Sequence, residues 1–159
     1  MTTTIRLATK EDLDQLVELC TITRKHHEQF GPEYALAEGW QLTWRNYASS
    51  IIEKSQENSA IYVADIEGRL VGYCMGNIQG RPPVFQMSKE AYISDVLVRP
   101  EYRRQGIGED LVNAMILHFK DKADIITLKY AVDNDAARGL YEKLGFAPTM
   151  EAVQRRLRD

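Results

Sequence analysis

One stretch constrains this chain more than any other: Arg103-Arg104-Gln105-Gly106-Ile107-Gly108. It follows residues 91–98, AYISDVLV, whose β-branched and aromatic content predicts a strand. It opens a segment in which Ile107, Leu111, Ala114, Met115 and His118 predict a helix with one apolar face. The first turn of a helix has unpaired N–H groups and the positive end of the helix dipole. Two glycines in that turn let an anion approach the backbone, and two arginines add guanidinium donors. Strand, arginine pair, Gly-x-Gly and helix, in that order, predict a pyrophosphate site at a helix N-terminus. The stretch is not a Walker A loop, because no Gly-Lys-Ser/Thr ends it. Nor is it Gly-x-Gly-x-x-Gly, because Leu111 holds the third glycine position.

Composition narrows the setting. A chain of 159 residues predicts one domain spanning 1–159. Its 20 Lys+Arg against 23 Asp+Glu give a net charge of -3, which argues against a nucleic-acid partner. The opening MTTTIRLATKEDL has neither a basic nor an apolar signal region, and no apolar run approaches the ~18 residues of a membrane span. Cys20 and Cys74 lack CxxC spacing and read as reduced, buried residues, so the expected location is cytoplasmic, away from the membrane. His26, His27 and His118 lie in no zinc-ligand pattern, so no metal is expected. His118 reads as a packed helix residue, and His26 and His27 stay open as substrate contacts.

The rest of the pattern predicts a mixed α/β (α+β) sheet of about seven strands with helices on both faces. Strands are expected at 4–7, 61–66, 70–78, 91–98 and 125–132, with two closing strands from Phe146 onward and over 152–157. Thr9 to Asp12 resembles a capping box before a helix carrying Leu13, Leu16, Val17 and Cys20. Trp44, Tyr47, Ala48 and Ile51 mark a second helix, and Ala137, Leu140, Tyr141 and Leu144 a last one that stops at Gly145. Glu67-Gly68-Arg69 reads as a hairpin turn.

At these residues the chain resembles the GCN5-related N-acetyltransferases, the GNAT superfamily. Arg103-x-x-Gly106-x-Gly108 matches that family's acetyl-CoA motif. A second motif follows: Asn134-x-x-Ala137-x-x-Leu140-Tyr141-Glu142-Lys143-Leu144-Gly145-Phe146. The match covers residues 91–147 and implies a single-domain acyl-CoA N-acyltransferase fold with acetyl-CoA as cosubstrate. It also implies that strands 92–98 and 126–132 splay apart. The pantetheine arm would then pair with backbone groups of Val96, Leu97 and Val98. The pyrophosphate would rest on Arg103, Arg104, Gln105, Gly106, Ile107 and Gly108. Asn134 matches a position that contacts the pantetheine arm. Lys143 could reach the 3′-phosphate, but a solvated lysine suits it better.

Acyl transfer to an amine needs a neutral amine, a stabilised oxyanion and a protonated leaving thiolate. The resemblance gives Tyr141 the acid role; the alternative is a core aromatic. A backbone N–H of Leu97 or Val98 would hold the oxyanion. The base is open, because Ser94 and Lys129 stand where some members carry Glu. Asp95 is a candidate, with a structural role as its alternative; a water relay without a dedicated base is equally open, and Glu90 is a weaker candidate. Alternation puts Ser94 and Asp95 on opposite faces.

The family's acceptor region corresponds to residues 10–57, where nine acids face five bases. That balance suggests a small cationic amine, against the alternative of a solvated surface. Tyr34, Trp40 and Trp44 could line its pocket, and the 81–85 segment could cover it. A protein N-terminus or lysine is the rival acceptor, and a non-catalytic CoA-binding sensor the rival from another class. The closing strands would offer an edge for a homodimer.

Overall fold

The computed structural model describes residues 1–158. The elements run β1 (Thr4–Leu7), α1 (Leu13–His27), α2 (Trp40–Glu53), β2 (Ser59–Ile66), β3 (Arg69–Gly80), β4 (Lys89–Val98), α3 (Ile107–Phe119), β5 (Ile125–Leu128) and α4 (Asp135–Lys143). The chain divides into two compact units, Met1–Lys129 and Tyr130–Asp159.

The first unit is a mixed five-stranded sheet in the order β1-β2-β3-β4-β5. The first four strands are antiparallel neighbours, and β5 joins β4 in parallel. A two-residue turn, Glu67-Gly68, links β2 to β3, and both residues take positive φ as such hairpins require. On one face, α1 and α2 bury Leu16, Leu19, Cys20, Trp44, Ala48 and Ile51 against Ile61, Val63, Tyr73, Met75 and Leu97. Trp44 packs edge-on to Tyr73 at 5.9 Å, so it is core rather than pocket. Against the other face, α3 buries Ile107, Leu111, Val112, Met115 and Phe119. Glycine permits this close packing: a Cβ on Gly72 would meet the Leu97 carbonyl oxygen at 2.6 Å and Leu111 at 3.2 Å.

The expected capping pair is present. Asp12 accepts from the Thr9 N–H at 2.8 Å, and also takes Arg6, which bridges to Asp65. His118 is a packing residue, as its helix position suggests. Its Nδ1 lies 3.1 Å from the Tyr62 hydroxyl and its Nε2 3.2 Å from the Glu57 carbonyl oxygen. Burial, then the charge of Lys122, holds the imidazole below its usual value. As pH falls, the unfolded chain therefore takes up the proton first. The stability this histidine contributes is present above about pH 6.5 and lost as pH falls through the lower folded value. His118→Gln should flatten the acid side of a Tm-against-pH curve; an unchanged slope would assign that limb to other groups.

In the second unit, α4 presents Ala137, Leu140, Tyr141 and Leu144 on its less exposed side, matching the predicted stripe. Two expectations need correction. The strand over 125–132 ends at Leu128, and the closing strands over 146–157 are absent among the described residues. A strand is defined by hydrogen bonds to a neighbouring strand, and residues 146–157 form no such pairing among the described residues. Met150, Val153 and Leu157 are accordingly exposed, each by 88% or more. The sheet thus has five strands rather than about seven. Among the described residues, no helix is long and apolar enough to cross a membrane, and no cluster of metal-ligating side chains forms.

Candidate active site

The β4–β5 ladder is short. It pairs Glu90, Ala91, Tyr92 and Ile93 with Ile125, Ile126, Thr127 and Leu128, and goes no further. From Ser94 to Val98, β4 keeps β3 on one side only. The break coincides with a bulge. Asp95 pairs with Met75 and Ile93 with Gly76, so Ser94 is an extra residue. Its hydroxyl donates to the Met75 carbonyl oxygen at 3.3 Å.

The bulge re-aims the strand. Cross-strand partners share a face, so Ile93 joins Gly76 on the α3 side while Asp95 joins Met75 on the α1 side. The Arg99 N–H donates to the Val71 carbonyl oxygen at 2.8 Å. By alternation, the backbone of Leu97 faces β3, and the backbones of Val96 and Val98 face the open edge. This corrects one expectation: the Leu97 amide is committed within the sheet, while Val96 and Val98 can still pair with a ligand.

The open edge leads into the predicted anion loop. Pro100–Tyr102 makes one 3₁₀ turn, Arg104 and Gly106 adopt left-handed backbone at φ 65° and 83°, and α3 starts at Ile107. Ile107 is buried and anchors the loop, while residues 103–106 are exposed. Asp110 N–H closes the first helical bond onto Gly106, so the N–H groups of Ile107 and Gly108 precede the intrahelical ladder. Nothing would lie within 4 Å of a Cβ on Gly106, so the approach to these donors is open. Arg103 is partly committed, its Nε donating to the Val98 carbonyl oxygen at 2.9 Å. These residues fit a bound diphosphate and an extended amide-bearing arm. Arg99, which the sequence reading passed over, is buried and structural: its Nε donates to Leu70 and its Nη2 pairs with Glu18 at 3.0 Å.

Asp95 is buried at 7% exposure. Its Oδ2 accepts from Arg24 Nη2 at 3.1 Å and from the Tyr73 hydroxyl at 3.3 Å. Burial pushes its carboxyl up from the usual value, against the opposing pull of Arg24 and Tyr73. Removing one partner of a buried ion pair is expensive. Asp95→Ala should therefore lower stability by about 2–4 kcal/mol, discounted for the partial exposure of Arg24. Calorimetry should show a Tm fall of roughly 5–12 °C; a fall under about 2 °C would mean the pair is not stabilising. Glu90 is committed too, accepting from the Thr127 hydroxyl and facing Arg81 Nε at 3.9 Å. Burial pushes the Cys20 thiol up to about 11 and the Cys74 thiol higher still, which makes both poor nucleophiles.

The acidic balance of residues 10–57 is misleading. Asp12 pairs with Arg6, Asp14 with Arg45, Glu18 with Arg99 and Glu53 with Lys10. Beyond α1 the surface is aromatic. His27, Phe30 and Tyr34 have ring centroids 5.8 to 6.4 Å apart. In the 81–88 loop, Arg81 stacks 4.9 Å over Phe85 and donates to Met87.

In the second unit, Asn134 caps α4: its Oδ1 accepts from the Ala137 N–H at 3.0 Å. Tyr141 is buried, stacked on Tyr130 at 5.6 Å and edge-on to Phe146 at 5.7 Å.

Known proteins place this geometry in a family. Residues 16–146 match the model of the acetyltransferase (GNAT) family. An uncharacterized N-acetyltransferase, MJ1207, from Methanocaldococcus jannaschii is 30% identical over 91% of this chain, although the chain spans only 61% of that protein. An N-alpha-acetyltransferase from Sulfurisphaera tokodaii is 29% identical, over 89% of this chain and 78% of its own. Among solved structures, a transcriptional regulator from Bacillus halodurans superposes at a TM-score of 0.75 with 27% identity, covering 98% of this chain and all of its own. The aminoglycoside acetyltransferase AAC(6')-Iy, bound to a CoA bisubstrate analogue, has the same fold at 0.75 with 18% identity over the full length of both chains. A sheet that opens along β4, a glycine-led helix start beside it and a matching family model agree: this chain belongs to the acetyltransferase (GNAT) family.

Proposed function

We propose that this acetyltransferase moves the acetyl group of acetyl-CoA directly to a primary amine in a ternary complex, with residues 1–159 as its catalytic domain. The observation that carries the reading is the end of the β4–β5 ladder at Ile93–Leu128, which leaves the Ser94–Val98 edge open beside the Gly106 turn. When bound, acetyl-CoA supplies an activated thioester. The backbones of Val96 and Val98 hold its amide arm, and residues Arg103 to Gly108 hold its diphosphate. Asn134, while capping α4, retains its side-chain N–H donors for the arm. An open-edge amide of Val96 or Val98 stabilises the charge on the carbonyl oxygen.

The amine forms a C–N bond as the C–S bond breaks. Its extra proton leaves to water, and the thiolate takes a proton from Tyr141. The Tyr141 role rests on its place in the Asn134–Phe146 motif. Asp95 serves as a positioning residue rather than the base, because Arg24 and Tyr73 both draw on its Oδ2.

Two acceptor classes are favoured by different observations. The relatives named as N-alpha-acetyltransferases favour the α-amine of a protein. The acidic residues of 10–57 outside the ion pairs with Arg6, Lys10, Arg45 and Arg99, such as Glu11 and Glu57, favour a small cationic amine. The deciding experiment is thiol release from acetyl-CoA across amines and peptides, with mass spectrometry of the acetylated product. Transfer to an amine supports the reading; tight acetyl-CoA binding without transfer to any acceptor would make the protein a sensor.

A further inference from the structure

The last turn of α1 carries polar groups that the transfer scheme leaves unused. Thr23 is 9% exposed, and its Oγ1 has no hydrogen-bond partner. Thr21, two residues earlier, shows the usual solution, donating to the Val17 carbonyl oxygen at 2.8 Å. A buried hydroxyl without a partner is costly, and such a group calls for an explanation. Next to it, Arg24 is fixed by Asp95. Asp95 lies on the half of β4 that has no β5 neighbour, so the guanidinium is held beside the open edge. A third of the Arg24 side chain stays exposed, and its planar fork has five donors, more than Asp95 can occupy. One turn on, burial and then the charge of Arg24 hold His27 below its usual value, so it adds little positive charge at neutral pH.

A fixed guanidinium is the wrong surface for a polycation. It repels extra ammonium groups and matches an oxygen acceptor. Proton removal leads to the same conclusion. Both β4 carboxylates, Asp95 and Glu90, are already engaged by neighbours. With water as the proton acceptor, the amine must already be partly neutral. A peptide α-amine, with a pKa of about 7.7–8.0, is neutral to roughly a tenth at pH 7. An alkylamine near ~10.4 is neutral to less than about a thousandth.

We propose that Arg24, pinned by Asp95, is a specificity-determining residue that donates to the carbonyl oxygen next to the acceptor amine. The acceptor is then the α-amine of a peptide chain, and Thr23 Oγ1 takes a second hydrogen bond from the same backbone. This rests on the acetyl transfer proposed above.

The test compares a tetrapeptide bearing a free α-amine with propylamine and with spermidine, at fixed saturating acetyl-CoA. The expected kcat/KM for the peptide exceeds that for either amine at least 100-fold. Arg24→Ala should lower the peptide value about 30-fold more than it lowers the propylamine value, chiefly through KM, with partial rescue in Arg24→Lys. Thr23→Val keeps the shape and removes the orphan hydroxyl. It should fold as well as the parent yet lose about fivefold in peptide kcat/KM, a loss no packing role would produce. Equal or better use of spermidine or propylamine overturns the proposal, as does an Arg24→Ala loss shared equally by all acceptors. Bound acetyl-CoA with no transfer to the peptide overturns it too. Absence of acetyl-CoA binding instead overturns the transfer reading itself.

Discussion

Gly106→Asp should raise the dissociation constant for acetyl-CoA at least 100-fold while leaving the fold nearly as stable as before. The two effects separate because they have different causes. Gly106 stands at φ 83° as the residue before α3, with open space where a Cβ would point. A non-glycine residue there costs about 1 kcal/mol in backbone strain, less for Asp, which tolerates the left-handed region. An aspartate at a helix N-cap can also accept from the first helical N–H groups, which offsets part of that cost. Those same N–H groups are the proposed diphosphate donors. The carboxylate would occupy them and set a like charge against the ligand. Unit charges 4 Å apart interact by about 4 kcal/mol at an effective dielectric of 20, and the diphosphate carries more than one. Even after screening, about 3 kcal/mol survives, which is roughly 100-fold. Gly106→Ala has the strain without the charge and should lose only a few-fold. Calorimetric titration with acetyl-CoA checks both variants, and an unchanged affinity in Gly106→Asp would move the diphosphate away from this turn.

This loop was legible in the sequence because its determinants are local. A β-branched strand, two arginines and two glycines fix a strand, a left-handed turn and a helix start within one short stretch. The bulge was not legible. Ala91, Ile93, Asp95 and Leu97 are all buried at a spacing of two, as in an unbroken strand. The extra residue at Ser94 nevertheless sends the first two to α3 and the last two to α1, and it is the register with β3 that decides this. A polar Ser-Asp pair inside an apolar strand was the one available signal. The charge of the acceptor region was misread for a related reason. Arg6 and Arg99 lie outside residues 10–57, yet they pair with Asp12 and Glu18 inside that window. The closing strands failed because a strand depends on its neighbour, and neighbours are non-local. The role of Arg24 was hidden for the same reason, since it meets Asp95 from 71 positions away.

Tyr141→Phe should lower kcat about 100-fold, the low end of what a positioned general acid supplies, with acetyl-CoA affinity unchanged within about twofold. The substitution keeps the ring. Stacking on Tyr130 and the edge contact with Phe146 should therefore persist, and Tm should move by no more than about 3 °C. The core-aromatic alternative predicts a different result, because a ring that only packs loses nothing in kcat when its hydroxyl is removed. A second measurement separates acid catalysis from a slight misplacement of the acceptor. If Tyr141 protonates the departing sulfur, its loss matters less when the leaving thiol is more acidic. An acetyl thioester of a low-pKa thiol should then be turned over by Tyr141→Phe at close to the parent rate. A misplaced acceptor would slow both thioesters alike. Because the phenol contributes only where a thiolate must leave as a poor leaving group, the ratio of the two rates, rather than either rate alone, decides whether Tyr141 acts on the sulfur.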